Sequence, residues 1–128
     1  MRVLLDTHTF LWWVEGSSRL SSRARELIRD SENEVYLSAV TAWEIAIKAK
    51  VSKLEAVADP ERYVPEQMAL DNFLELPITV RHALHVYALP LYHRDPVDRL
   101  LVVQSQLEDL PIVTCDQRIA RYDVEVIW

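Results

Sequence analysis

The 128-residue chain contains a single glycine, Gly16. With one glycine, neither GxGxxG nor the GxxxxGK phosphate loop can be written, so phosphate chemistry must rely on cations and side chains. A single cysteine, Cys115, excludes an intrachain disulfide framework and a thiolate metal cluster. It points to a reducing, cytoplasmic setting, and within IVTCD it is expected to fill a small space at a strand end. Long apolar runs are missing too: nothing approaches the roughly 20 residues of a membrane span. The opening MRVLL is interrupted by Asp6, so it is not expected to serve as a secretory h-region. Positive charge is in deficit. The formal net charge of −6 argues against a general basic nucleic-acid binder, although two bound divalent cations would offset four of those charges.

What remains is ordinary globular material, half hydrophobic and 27% charged, of a length that fits one domain over residues 1–128. Val3–Leu5 reads as a buried strand, and Thr7–Val14 as a helix broken near Gly16. Ser21-Ser22 opens a second helix, SSRARELIRD, with apolar spacing at Ala24, Leu27 and Ile28. Glu34–Ser38 is strand-like, Thr41–Val51 helical, and PERYVPEQMAL helical with an irregularity at Pro65. A short strand at Asn72–Leu76, a helix at Thr79–Ala88 and a proline-bounded loop follow. Pro96–Leu107 is apolar nearly all round, as in a helix lying on a sheet. Ile112–Thr114 is a strand, Asp116–Tyr122 a short helix, and Val124–Trp128 a last strand. This alternation implies βαβ units and a mostly parallel sheet of four to five strands covered on both faces.

Four acids, Asp6, Glu44, Asp98 and Asp116, sit just past these strands or in the first turns of the following helices. In an open parallel sheet the carboxyl ends of the strands face one edge, where ligands bind. Four carboxylates there repel: at about 4 Å a like-charged pair costs roughly 4 kcal/mol at an effective dielectric near 20. A hard divalent cation among them is the natural remedy. Each acid also has a local alternative. Asp6 can cap the first helix, and Glu44 completes an S/T-x-x-E capping box with Thr41. Asp116 can cap the short helix after it. Asp95, followed by Pro96 at the first helical position, is fully explained as a cap, whereas Asp98 in the same first turn gains only a few tenths of a kcal/mol from the dipole.

MRVLLDTHTFLWW, LSAVTAWEIAIK, HRDPVDRLLVVQ and LPIVTCD, in this order and spacing, resemble the PIN-domain ribonucleases, and among them the VapC-type toxins of toxin–antitoxin pairs. The resemblance spans the whole chain. It implies a three-layer α/β/α sandwich, an acidic cluster binding Mg²⁺ or Mn²⁺, endonucleolytic cleavage of RNA, and an antitoxin that blocks the site. Carried onto this sequence, it assigns Asp6, Glu44, Asp98 and Asp116 as the catalytic acids. Asp6, Asp98 and Asp116 would be metal ligands, and Glu44 a ligand or the residue that positions water. Asp95 lies outside the pattern. Thr7 matches a small hydroxyl residue that could order the first carboxylate or a water.

Arg94, Arg99, Arg118 and Arg121 are close in sequence to the two C-terminal acids, and are either phosphate grips or surface charges. His93 is read as a structural loop histidine that could touch substrate, and Cys115 and the other histidines are excluded from catalysis. Trp12 and Trp13 are adjacent on one helix, so one should enter the core. The other is expected at a partner surface, where the resemblance suggests an antitoxin groove or a homodimer contact. The competing class is a non-catalytic binding module, PIN-like or receiver-like. A receiver would add paired acids after the first strand, but Asp6 is followed by Thr7-His8. That neighbour also disfavours a DxD phosphatase.

Overall fold

In the computed structural model, which describes residues 1–51 and 57–128, Arg2–Leu5 forms strand β1, with Val3, Leu4 and Leu5 wholly buried. It lies in the middle of the sheet. On one side β1 pairs with β2 (Glu34–Ser38), which pairs with β3 (Leu74–Leu76); on the other it pairs with β4 (Ile112–Val113), which pairs with β5 (Val126–Ile127). Every pairing is parallel. The order β3-β2-β1-β4-β5 puts the third strand at one edge, unlike receiver-type sheets, which carry their second strand there.

Because successive side chains of a strand face opposite sides, Val3 and Leu5 enter one core and Leu4 the other. The first core contains Phe10 and Leu11 of α1 (Thr7–Glu15), Ala24 and Ile28 of α2 (Ser22–Arg29), Ile45 of α3 (Ala39–Lys50) and Val64 of α4 (Pro60–Asp71). The second is built largely on α6 (Pro96–Glu108), through Val97, Leu101, Val102 and Val103, with Leu110, Ile112, Ile119 and Tyr122. Helices thus cover both faces of the sheet. The chain between β3 and α6 holds α5 (Val80–His85) and a 3-10 turn, Val86–Ala88. Among the described residues no helix is long and apolar enough to cross a membrane.

Local chemistry sets the helix starts. Ser21 accepts from Ala24 N–H at 3.0 Å and Asp95 from Val97 N–H at 2.8 Å, with Pro96 preset for the first turn. Gly16 closes α1 at φ 66°, a left-handed conformation that suits glycine. Pro65 does not break α4, because the carbonyl it leaves free, that of Glu61, lies on an exposed turn.

Several sequence expectations change. Helix α3 begins at Ala39, not Thr41. Its cap is Ser38, the last residue of β2, which accepts from Val40 N–H at 3.1 Å. Thr41 is instead buried inside the first turn, so the Thr41–Glu44 capping box does not form; among the described residues a capping box is made by Thr79 and His82. The helix expected over Asp116–Tyr122 contracts to a 3-10 turn at Ile119–Arg121. Neither tryptophan is fully buried. Trp12 and Trp13 both pack partly exposed against the first core, which Phe10 fills. Trp12 lies edge-on to Trp128 at 5.9 Å, with Arg19 above it. Cys115 is exposed, since it lies beyond the end of β4 while Thr114 beside it turns inward.

Candidate active site

Parallel strands deliver Leu5, Ser38 and Val113 to one edge of the sheet. The chain turns one way from β1 toward β2, and β4 lies on the other side, so the crevice between β1 and β4 is the switch point where such sheets bind ligands. Asp6 stands there, 5% exposed. Its Oδ1 accepts from Thr9 N–H at 2.8 Å, and its Oδ2 accepts the hydroxyl of Thr114 from the end of β4. The cap and ligand readings of Asp6 are therefore compatible, because each oxygen keeps a lone pair. Burial pushes the Asp6 pKa up, while the hydrogen bonds from Thr114 and Thr9 oppose the shift.

Asp98 lies in the first turn of α6, with Asp95 as the cap just before it. Its carboxyl feels all the other acids. Burial is the largest influence raising its pKa, and the charges of Asp95, Asp6, Glu44 and Asp116 add to it, pushing it up to about 7. Glu44, in the second turn of α3, lies near enough for its charge to raise Asp98, and pairs at 3.3 Å with Lys48, one turn further on. Asp116 follows β4. Burial would raise its carboxyl, but hydrogen bonds from the His93 ring and from Arg118 N–H, with the Arg118 guanidinium charge nearby, hold it below the ordinary value.

His93 is the residue whose importance sequence reasoning missed. It is 4% exposed, and its Nε2 lies 2.9 Å from Asp116 Oδ2 and 3.1 Å from Asp98 Oδ2. The available signal was its place two residues before the Asp95 cap, where its Nδ1 accepts Asp95 N–H at 3.1 Å. Thr9 and Thr114, which hold Asp6, were missed as well. Thr7 is not the hydroxyl that orders Asp6: it is 3% exposed and bonds Thr41 Oγ1 at 3.2 Å, tying α1 to α3.

The arginines divide. Arg99 is buried and spent on the protein itself, donating to the carbonyls of Pro90 at 2.9 Å and Val86 at 3.2 Å and to Tyr122 Oη at 3.2 Å. Both Nη groups are thus engaged by the protein and the residue is 9% exposed, so it is not placed to grip a phosphate. Arg121 lies over the Tyr92 ring at 4.4 Å. Arg94 and Arg118 remain exposed beside the acids, with Arg118 Nε 3.9 Å from Asp116 Oδ1.

The PIN domain profile matches residues 3–125. This chain belongs to the PIN-domain family. Ribonuclease VapC22 of Mycobacterium tuberculosis (strain ATCC 25618 / H37Rv) is 30% identical to this PIN domain over 118 residues, covering 91% of this chain and 88% of that protein. Ribonuclease VapC16 of the same organism is 33% identical over 64 residues, half of this chain and 45% of its own length. Two solved structures share the fold at low identity. One is VapBC2 from Rickettsia felis bound to a promoter DNA fragment, with a TM-score of 0.71 and 13% identity over 99% of this chain and 98% of that one. The other is FitAcB from Neisseria gonorrhoeae, with a TM-score of 0.65 and 19% identity over all of this chain and 97% of that one.

The donor set of this PIN domain fits a hard divalent cation. It offers carboxylate oxygens, several partly shielded from water, and burial together with their mutual repulsion raises one of them, Asp98, to about 7. Removing that repulsion requires positive charge, and oxygen donors of this kind suit Mg²⁺ or Mn²⁺.

Proposed function

We propose that this PIN domain is a metal-dependent endoribonuclease and the toxin of a toxin–antitoxin pair acting in the cytoplasm. One observation carries the reading: Asp98 is buried among acids from the tip of β1, from α3, from the start of α6 and from the loop after β4, and burial first, with their charges added, pushes it up to about 7. Asp6, Asp98 and Asp116 would hold Mg²⁺, with Mn²⁺ able to replace it, and Glu44 would join them or position the attacking water. A divalent cation bound there activates water for attack on phosphorus and neutralises charge on the scissile phosphate and its leaving oxygen. Arg94 and Arg118, exposed at the rim, would hold flanking phosphates. The names of the two relatives above support the ribonuclease reading.

The antitoxin partner is supported by a structural neighbour from Klebsiella pneumoniae that is a toxin–antitoxin complex. We extend the proposal to a homodimer. Val80, Leu84, Tyr87 and Leu91, within twelve residues of sequence, are all largely exposed, whereas Trp12 and Trp13 are partly buried, and exposed apolar side chains of this kind support an interface.

The test is cleavage of a labelled structured RNA by antitoxin-free protein with Mg²⁺, with Mn²⁺ and with chelator, alongside Asp6→Asn. Asn is preferred to Ala because it also caps α1, so loss of activity is not loss of the helix start. Cleavage that needs the ion and disappears in D6N supports the reading. No cleavage with either ion would favour a binding module, and undiminished cleavage in D6N would remove Asp6 from the site.

A further inference from the structure

His93 looks at first like a third metal ligand, because its Nε2 and one oxygen each from Asp98 and Asp116 lie within 4.8 Å of one another. Its hydrogen bonds argue otherwise. Nδ1 accepts the backbone N–H of Asp95 at 3.1 Å, so that nitrogen carries no proton and the imidazole proton must sit on Nε2. An N–H has no lone pair to give to a metal. It has a hydrogen to give to a carboxylate, and two carboxylate oxygens stand at 2.9 and 3.1 Å.

The loop carrying His93 is itself clamped. Tyr122 Oη accepts from the N–H groups of Tyr92 at 3.1 Å and His93 at 3.0 Å, and donates to the Pro90 carbonyl at 2.7 Å. Arg99 grips the same segment, donating to the Pro90 and His93 carbonyls and to Tyr122 Oη. To ligate a metal, Nε2 would have to lose its proton to Nδ1. The bond from Asp95 N–H would then break, at the residue that caps α6.

We infer that His93 is a positioning residue and not a metal ligand: its Nε2–H bridges Asp98 and Asp116 and sets their separation, on a loop fixed by Arg99 and Tyr122. Asp98 belongs to a helix and Asp116 to a loop, and their like charges would drive them apart without a shared donor. Outer hydrogen bonds of this kind orient ligands and tune metal affinity. The inference rests on the metal-binding reading of the acids.

Two measurements on the full chain test it. The first is ¹⁵N–¹H correlation of the histidine rings before and after saturation with Mg²⁺. The expected result is an Nε2-protonated His93 in both states; loss of the Nε2 proton on binding would overturn the proposal. The second is Mn²⁺ affinity, with thermal melting as a check on folding, for His93→Ala, His93→Asn and His93→Gln. Ala and Asn should weaken Mn²⁺ about 10–100-fold, because the Asn amide sits where Nδ1 was. Gln places an N–H where Nε2–H was and should recover most of the affinity. Equal losses in all three variants would overturn the proposal, since a purely structural role predicts no such rescue. A wild-type chain that binds no Mn²⁺ would overturn the metal reading itself, whereas the other adverse results would remove only the role of His93.

Discussion

The hydroxyl of Thr114 donates to the carboxylate of Asp6 across 108 positions of sequence, joining the ends of β4 and β1 at the sheet's switch point. Thr114 Oγ1 also accepts the N–H of Asp116 at 3.0 Å, so one hydroxyl organises two of the acids. Thr114→Val keeps the shape and removes both bonds. It leaves an Asp6 oxygen unpaired in a nearly sealed position, for which about 1–3 kcal/mol of stability should be lost. Mn²⁺ affinity should fall at least about 10-fold, while Thr114→Ser stays close to wild type. Chemical denaturation and Mn²⁺ titration check this; a Val variant with wild-type metal affinity would show that Asp6 needs no help from Thr114.

Stability without metal should depend on pH in a definite direction. Asp98 is pushed up to about 7 in the folded chain, against about 4 when unfolded. Between those values the folded state holds a proton that the unfolded state has released, so stability falls as pH rises through the window. Asp6, raised by burial, acts in the same sense. The lowered Asp116 contributes stability above its ordinary value and loses it only in more acid solution, outside this window. With the Asp98 side chain 20% exposed, chelated protein should be more stable near pH 5 than near pH 8 by on the order of 1–3 kcal/mol. Asp98→Asn should flatten most of that dependence, and Mg²⁺ should stabilise most at the higher pH. Urea denaturation at the two pH values decides it; a chelated protein more stable at the higher pH would refute the repulsion argument.

The sheet was legible because its signals are local and repeated. Short apolar runs such as VLL and EVYLS, each followed by helical spacing, leave few arrangements besides parallel strands with helical cover. Parallel strands then bring acids at separate junctions to one edge. What stayed hidden lies in contacts across the chain. Nothing near Thr114 marks it as the partner of Asp6, and the carbonyls that consume Arg99 belong to the 3-10 turn and the proline-bounded loop over 86–93, whose sequence does not say where its carbonyls point. The start of α3 was misplaced for another reason: β2 runs into the helix without a linker, so Ser38 is both the last strand residue and the cap, and Thr41 only resembles one.

That overlap makes Ser38 and Thr41 separable by mutation. Ser38 Oγ serves the Val40 N–H and also donates to Gln104 Oε1 on α6, binding the helix start to the opposite layer. Ser38→Ala should cost about 1–2 kcal/mol, as cap losses do, with a further penalty from the buried Gln104 oxygen. Thr41→Val removes only the hydroxyl contact with Thr7 and should cost about 1 kcal/mol or less. Equilibrium unfolding ranks the two; a Thr41 variant that costs more than the Ser38 variant would restore Thr41 as the cap.

The arginines give the sharpest separation of stability from binding. Arg99→Ala strips the donors from a cluster of carbonyls and from Tyr122, so it should destabilise the chain by about 2–4 kcal/mol and loosen the His93 loop. Arg99→Lys should recover little, because one ammonium cannot reproduce the planar fork that spans Val86 and Pro90. Arg94→Ala and Arg118→Ala, at exposed positions, should change stability by no more than about 0.5 kcal/mol. Each should instead weaken RNA binding and lower the salt dependence of that binding by about one unit in log–log slope. Binding to a catalytically silent Asp6→Asn background, measured across a salt series with unfolding curves on the same variants, tests the division. If Arg94→Ala and Arg118→Ala leave both affinity and salt slope unchanged, the RNA path does not cross this rim.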